Sequence, residues 1–248
     1  MDVVIENLNG KTALITGGSR GIGRGCAEVL AQLGTNVVIN YKANDKAAQE
    51  TYVLIKNRGG RITVVAADVS NEDDVKNLIR VAEKTFGLIH ILVNSAGISY
   101  PCSYEKTTLE DWDKILSNNL RSAFMVTQAV IPGMMSAKWG RIINLSSTAA
   151  STGYRPLGPA YTASKAGILG LTRYYAAALA KDGITSNAIA PSMVDTEMAK
   201  RDLKADPAAW PLGRFATVEE VSSVVKMLVF NDYITGQTIY VNGGRYST

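Results

Sequence analysis

The 248-residue chain has one histidine, two cysteines, 7% aromatic residues and no long apolar run. Each scarcity removes a class of function. Cys26 and Cys102 lack CxxC spacing and a histidine cluster, so a structural zinc site fails on ligand count and no metal is expected. No apolar stretch approaches the roughly 18 residues that a membrane-spanning helix needs. Met1 to Gly10 carries Asp2 and Glu6 in place of an apolar targeting core, so the expectation is a cytoplasmic, soluble protein with both thiols reduced. The formal charge of +4 comes from scattered Lys and Arg with no basic run interleaved with aromatics, which argues against a nucleic-acid partner.

What the chain does have is apolar content, 46% of residues, distributed evenly enough to exclude disordered or low-complexity regions. Short β-branched runs alternate with segments of helical period: Thr12 to Thr16, Val37 to Tyr41, Ile62 to Ala66, Ile89 to Asn94, Ile142 to Leu145, Ser186 to Ala190 and Thr238 to Val241. Strands that are apolar on both faces must be covered on both. The pattern therefore predicts an α/β, doubly wound, Rossmann-type fold, a seven-stranded parallel sheet flanked by helices in a single domain over residues 1–248. Ser70 with Asp73, Thr108 with Asp111 and Thr217 with Glu220 fit helix-opening capping boxes, and Gly34 and Gly87 fall where helices should stop. Residues 192–214 have the least periodicity and follow a strand's carboxyl end, which predicts a substrate lid.

The first strand runs through Thr16-Gly17-Gly18-Ser19-Arg20-Gly21-Ile22-Gly23 into a helical segment. A glycine turn between strand and helix brings backbone N–H groups close to a pyrophosphate at the helix N-terminus. Its spacing, Gly17-x3-Gly21-x-Gly23, is not the general dinucleotide fingerprint, and a bare tight turn is the competing reading. Tyr161-Thr162-Ala163-Ser164-Lys165 sets a phenol and an ammonium one helical turn apart on one face. A carbonyl reduced to an alcohol needs a proton, and an unperturbed phenol is a poor shuttle near neutral pH. A nearby Lys cation together with oxidised nicotinamide favours the phenolate, so Tyr161 is expected to have a lowered pKa. By itself a YxxxK string is most often a solvated helix face.

With its company the string carries more. The chain resembles the short-chain dehydrogenase/reductase family from about Lys11 to Gly244, through the glycine turn, Asp68-Val69, Asn94-Ser95-Ala96-Gly97, Asn119-Leu120, Ser146-Ser147, Tyr161-x3-Lys165, Asn187 to Thr196, Thr235-Gly236-Gln237 and Val241-Asn242-Gly243-Gly244. The resemblance implies that Ser147 bonds the substrate oxygen, Tyr161 transfers the proton, Lys165 holds the nicotinamide ribose and Asn119 supports a water that reprotonates Lys165. It also implies a cofactor cradle of Gly17, Ser19, Arg20, Gly21, Ile22, Gly23, Asn40, Tyr41, Lys42, Asp68, Val69, Asn94, Ala96, Gly97, Pro191, Val194 and Thr196. His90 stands where the family often has Asp and reads as structural, and Cys102 reads as an inert thiol. Two departures stand out. Ser95 replaces a usual Asn, and Ser192 replaces a usual Gly, which predicts a rearranged backbone or about 1 to 2 kcal/mol of left-handed strain.

The strand ending Asn40-Tyr41-Lys42 carries no acid to bond a ribose 2′-hydroxyl, while Arg20 and Lys42 offer cations to a 2′-phosphate, so NADP(H) is the expected cofactor. Within the family the chain is most similar to 3-oxoacyl-[acyl-carrier-protein] reductases. That similarity implies reduction of a 3-oxoacyl thioester or related ketone and a homotetramer. Lys138 and, less well placed, Lys181 are candidate contacts for an acyl carrier protein. A general ketone reductase and a sugar or polyol dehydrogenase are the alternatives. A non-catalytic redox sensor would normally have lost Tyr161 or Lys165.

Overall fold

The computed structural model describes residues 7–197, 199 and 205–246. Seven strands, β1 (Thr12–Thr16), β2 (Asn36–Tyr41), β3 (Arg61–Ala66), β4 (Ile89–Asn94), β5 (Gly140–Leu145), β6 (Ile184–Pro191) and β7 (Thr238–Val241), form one sheet in the order β3-β2-β1-β4-β5-β6-β7. Every pairing is parallel. The order reverses between β1 and β4, which opens a crevice beyond the strand carboxyl ends, the usual ligand position in such sheets.

Successive side chains of a strand point to opposite faces, and both faces are covered. Ala13 and Ile15 of β1 pack with Cys26, Ala27 and Leu30 of α1 (Gly21–Gln32), Ile55 of α2 (Asp45–Asn57) and Val221 and Val225 of α8 (Val218–Phe230). Leu14 between them turns to Leu78 of α3 (Glu72–Phe86), Val126 and Val130 of α5 (Ser122–Ala137) and Tyr175 of α7 (Gly158–Leu179). Two short helices complete the described set, α4 (Leu109–Leu116) and α6 (Ala149–Thr152). The lone histidine marks an irregularity: Thr12 pairs with Ile89 and Ala13 with Ile91, so the register skips His90, whose Nδ1 accepts the Thr12 N–H at 3.2 Å.

Helix boundaries follow their caps with one correction. Thr108 and Thr217 form the expected capping boxes with Asp111 and Glu220, and Gly34 and Gly87 take φ of +86° and +77° at helix ends. α3 begins differently. Asn71, not Ser70, accepts the Asp73 and Asp74 N–H groups at 2.9 and 3.1 Å, while the Ser70 hydroxyl turns back to donate to Asp68 at 2.6 Å. Both residue types can cap, and the tight Asp68–Ser70 turn leaves Asn71 the position. α1 is the exception among the longer helices that follow a loop. Its Arg20 cap is extended, makes no side-chain capping bond, and is followed by a first turn without acids.

Candidate active site

A cavity of about 1290 Å³ occupies the crevice, bordered by the glycine turn, the ends of β1, β2, β4, β5 and β6, and the start of α7. Its end at the glycine turn is built on close backbone approach. Gly17 has φ of +63°, and a Cβ there would lie 2.9 Å from the Ala96 Cα on the neighbouring strand end. Thr16 Oγ1 accepts the N–H groups of Ser95 and Ala96, both at 3.1 Å, and the Asn40 amide donates to Ala67 O at 2.9 Å while its oxygen faces Gly17 N at 3.4 Å. Thr51 on α2 donates to Ser19 O at 2.9 Å. These bonds fix the turn so that the uncapped N-terminus of α1 faces the cavity. An oxyanion is the group that such donors accept.

Three cations border this end, each beside a carboxylate: Arg24 pairs with Glu28 within α1, and the other two are the expected ones. Arg20 Nη1 lies 3.1 Å from Glu197 and Lys42 Nζ 2.5 Å from Asp68, all at least partly exposed. The Asp68 carboxyl lies below its usual range because the Lys42 and Ser70 hydrogen bonds outweigh its burial, the largest single influence. No acid stands at the end of β2 itself.

At the other end Ser147, Tyr161 and Lys165 share the cavity wall. The Ser147 hydroxyl is near enough to the Tyr161 phenol to favour its ionised form, and it accepts the Ala149 N–H at 3.2 Å. Ser146, the neighbouring candidate, instead donates to Lys165 O at 2.8 Å. The Lys165 ammonium is buried, donates to Leu145 O at 2.8 Å, and lies 5.8 Å from the centre of the Tyr161 ring. Burial, which disfavours charge, pushes Lys165 down to about 8. Burial likewise raises the Tyr161 phenol, and the nearby Ser147 hydroxyl opposes this only in part. The expected lowering required Lys165 together with oxidised nicotinamide, and in the protein alone Lys165 does not supply it. The ammonium is turned to a carbonyl and its charge is not among the influences on the phenol, so Tyr161 stays in its acid form.

Two expected residues lie behind the wall. Asn119 is buried in a single wide turn, Ser117–Arg121, between α4 and α5. Its oxygen accepts Ile98 N–H at 2.8 Å and its amide donates to Ile98 O and Ser164 Oγ, both at 3.1 Å. Ser164 in turn donates to Tyr161 O at 2.7 Å, so Asn119 braces the helix turn that carries the phenol. Asn94 points into the core, where its amide donates to Thr127 at 3.0 Å and Asn144 at 2.8 Å. Every other expected cradle residue borders the cavity.

Ser192 is not strained. Among the described residues only Lys138 is a non-glycine with positive φ. The Ser192 hydroxyl instead accepts the indole N–H of Trp210 at 2.9 Å, a bond that glycine cannot make. Trp210, Met193, Tyr154, Leu157 and Arg245 complete the wall beyond Tyr161. Met193 and Trp210 fall within the segment expected to form the lid, but none of the five was singled out, since they come from aperiodic segments. The nearest signal was a lone Trp in the expected lid, of which residues 198, 200 and 201–204 lie outside the described residues. Lys138 and Lys181 precede β5 and β6, so within one chain both sit toward the amino ends of these strands, away from the cavity at the carboxyl ends. Among the described residues no group of His, Cys, Asp and Glu could hold a metal, and no helix is long and apolar enough to cross a membrane.

Residues 17–245 match the family model described as enoyl-(acyl carrier protein) reductase. The chain is 40% identical to a 3-oxoacyl-[acyl-carrier-protein] reductase of Synechocystis over 96% of its length and 97% of the relative's. It is 37% identical to the enzyme of that name from Vibrio cholerae, over 97% and 99%. A provisionally assigned gluconate dehydrogenase from Agrobacterium tumefaciens superposes with a TM-score of 0.92 at 32% identity, covering 99% of each chain. These names differ in the bond and substrate they specify, yet each is a reductase or a dehydrogenase. The chain belongs to the short-chain dehydrogenase/reductase family.

Proposed function

We propose that this protein reduces a ketone, a 3-oxoacyl thioester or a related carbonyl compound, to the secondary alcohol with NADPH. The carrying observation is Ser147 and Tyr161 sharing the wall of one large cavity with buried Lys165. A dinucleotide suits the rest of that cavity on two counts, the cradle that a Cβ on Gly17 would fill and the uncapped helix N-terminus. The cofactor supplies hydride. Ser147 and Tyr161 orient the substrate oxygen, and Tyr161, held neutral by burial, gives its proton as negative charge develops there. Lys165 offers its remaining N–H donors to the ribose, and Asn119 keeps the Tyr161 turn in place.

Preference for NADPH rests on Arg20 and Lys42. Both are engaged by carboxylates, but half-exposed ion pairs contribute only about 0 to 1 kcal/mol, so a 2′-phosphate can take over these cations at little cost. Full-length relatives named for 3-oxoacyl-carrier substrates support the thioester reading. The gluconate dehydrogenase neighbour supports the sugar or polyol alternative. Exposed Phe124 on α5 and Tyr174 on α7, 45% and 66% accessible, support assembly through these helices into a homotetramer, which light scattering tests.

The deciding experiment follows NADPH absorbance with a 3-oxoacyl thioester, a keto ester, a cyclic ketone and, with NADP in reverse, glucose. A higher kcat/KM for the thioester or keto ester, and for NADPH over NADH, is expected. Turnover confined to glucose overturns the thioester reading, and equal use of NADH overturns the cofactor assignment.

A further inference from the structure

The wall beyond Tyr161 carries a charged group that hydride transfer does not require. Arg245 follows the glycine pair after β7, and its guanidinium lies over the Trp210 ring, 4.9 Å from Cζ to the ring centre. Its Nη1 donates to Ala209 O at 2.9 Å. Trp210 is itself fixed from two sides, by its bond to Ser192 and by edge-to-face contact with Phe215 at 5.1 Å. Ser192 directly follows Pro191, which borders the same cavity as Tyr161 and Lys165. Arg245 is thus attached, through Trp210 and Ser192, to the catalytic end of the cavity.

Its electrostatic setting differs from that of the other cavity cations. Arg20, Arg24 and Lys42 lie at the opposite end and are paired with Glu197, Glu28 and Asp68. Lys165 is turned to Leu145 O. Among the described residues no carboxylate pairs with Arg245. A guanidinium held against an indole keeps its planar N–H edge for a second partner, and one bond to a carbonyl leaves most of its donors for that partner. The preferred partner of such an edge is an oxyanion.

We propose that Arg245 is a specificity-determining residue that selects carbonyl substrates bearing an oxyanion, a carboxylate or a phosphate, at the end remote from the reacting carbon. This rests on the carbonyl-reductase reading above and narrows its substrate class. Trp210 is the positioning residue, since it sets the height of the guanidinium above the cavity.

The test uses the full-length enzyme, Arg245→Leu and Arg245→Lys with two matched substrate pairs. One pair is a keto acid against its methyl ester, and the other is a 3-oxoacyl-coenzyme A against the corresponding uncharged N-acetylcysteamine thioester. The readout is the ratio of kcat/KM for the anionic over the neutral member. In at least one pair Arg245→Leu should lower that ratio about ten- to a hundredfold, chiefly through KM, with Arg245→Lys retaining part of it. The pair affected identifies carboxylate or phosphate as the source. A ratio unchanged in both pairs, with the neutral ketones still reduced, overturns the role of Arg245 and leaves carbonyl reduction standing. Failure of the unmodified enzyme to reduce any of the four compounds overturns the underlying reading and this proposal with it.

Discussion

Replacing Lys165 by Met should stabilise the protein while disabling it. The ammonium is buried, its one hydrogen bond goes to Leu145 O, and no carboxylate is among the influences on it. A fall from 10.5 to about 8 corresponds, at about 1.4 kcal/mol per tenfold change, to an unfavourable contribution of about 3 kcal/mol in the cofactor-free fold. Met matches the stem in shape and carries no charge, but it leaves Leu145 O without its donor, which costs about 1 to 2 kcal/mol. The net gain at pH 7 is therefore about 1 to 2 kcal/mol, or about 2 to 4 °C in Tm for a chain of this size. The pH dependence is sharper than the magnitude. Because the folded pKa is depressed, the penalty is complete below about 8 and gone above 10.5, so the parent should gain stability on the variant as pH rises through that window. Urea unfolding of both proteins without cofactor at pH 7, 9 and 10.5 measures the gap. A variant less stable than the parent at pH 7, with a gap that does not change with pH, refutes the reasoning. Retention of such a group is what a trade of stability for activity looks like.

Tyr161→Phe should lower carbonyl reduction about 100- to 10,000-fold with little change in NADPH affinity measured by fluorescence titration, and comparable turnover would remove the phenol from the chemistry. His90 is held neutral by burial and by the Lys11 charge, so its folded pKa lies below 6.5. Its contribution is present above 6.5 and lost as pH falls from there, and His90→Gln should flatten that part of the stability profile. A profile identical to the parent's would show that the skipped residue is not the titrating group. Asn71→Ala should cost about 1 kcal/mol, whereas Ser70→Ala should leave the α3 cap intact, and thermal unfolding that ranks the two the other way would return the cap to Ser70.

The strands were legible because being buried on both faces demands continuous apolar runs, and β1, β4 and β7 begin and end as read. The other four were read one or two residues short at their starts, where Asn36, Arg61, Gly140, Arg141 and Thr185 carry no apolar signal, and β6 was read short of Ile184 and Pro191 as well, although Ile184 is apolar. Arg141 shows why such a start escapes notice. It is buried, yet its guanidinium is occupied by Val229 O at 2.9 Å and Gly140 O at 2.9 Å, partners that no spacing announces. Motif residues at the cavity were legible for the opposite reason, since the glycine turn and the Tyr161–Lys165 interval each impose a local geometry. Conformation and partner choice were not. Ser192 looked like a strained substitute for glycine because the sequence shows the lost glycine but not the indole 18 positions away that takes its hydroxyl. The resting direction of Lys165 was equally hidden, because spacing shows that it is near Tyr161 but not that its ammonium turns to Leu145 O.

The Ser192–Trp210 bond has a neighbour that changes its meaning. Asp195 N–H donates to Ala216 O at 2.9 Å and Ala216 N–H to Met193 O at 3.0 Å, so the two feet of the intervening segment are clasped at its base. A segment closed at its feet can be lengthened cheaply, because doubling a loop adds only about 0.6 kcal/mol of closure entropy. Insertions between those feet would redraw the outer half of the cavity, Trp210 included, without disturbing the glycine turn or α7. In this architecture the part that chooses the guest and the part that performs the reaction can diverge at different rates.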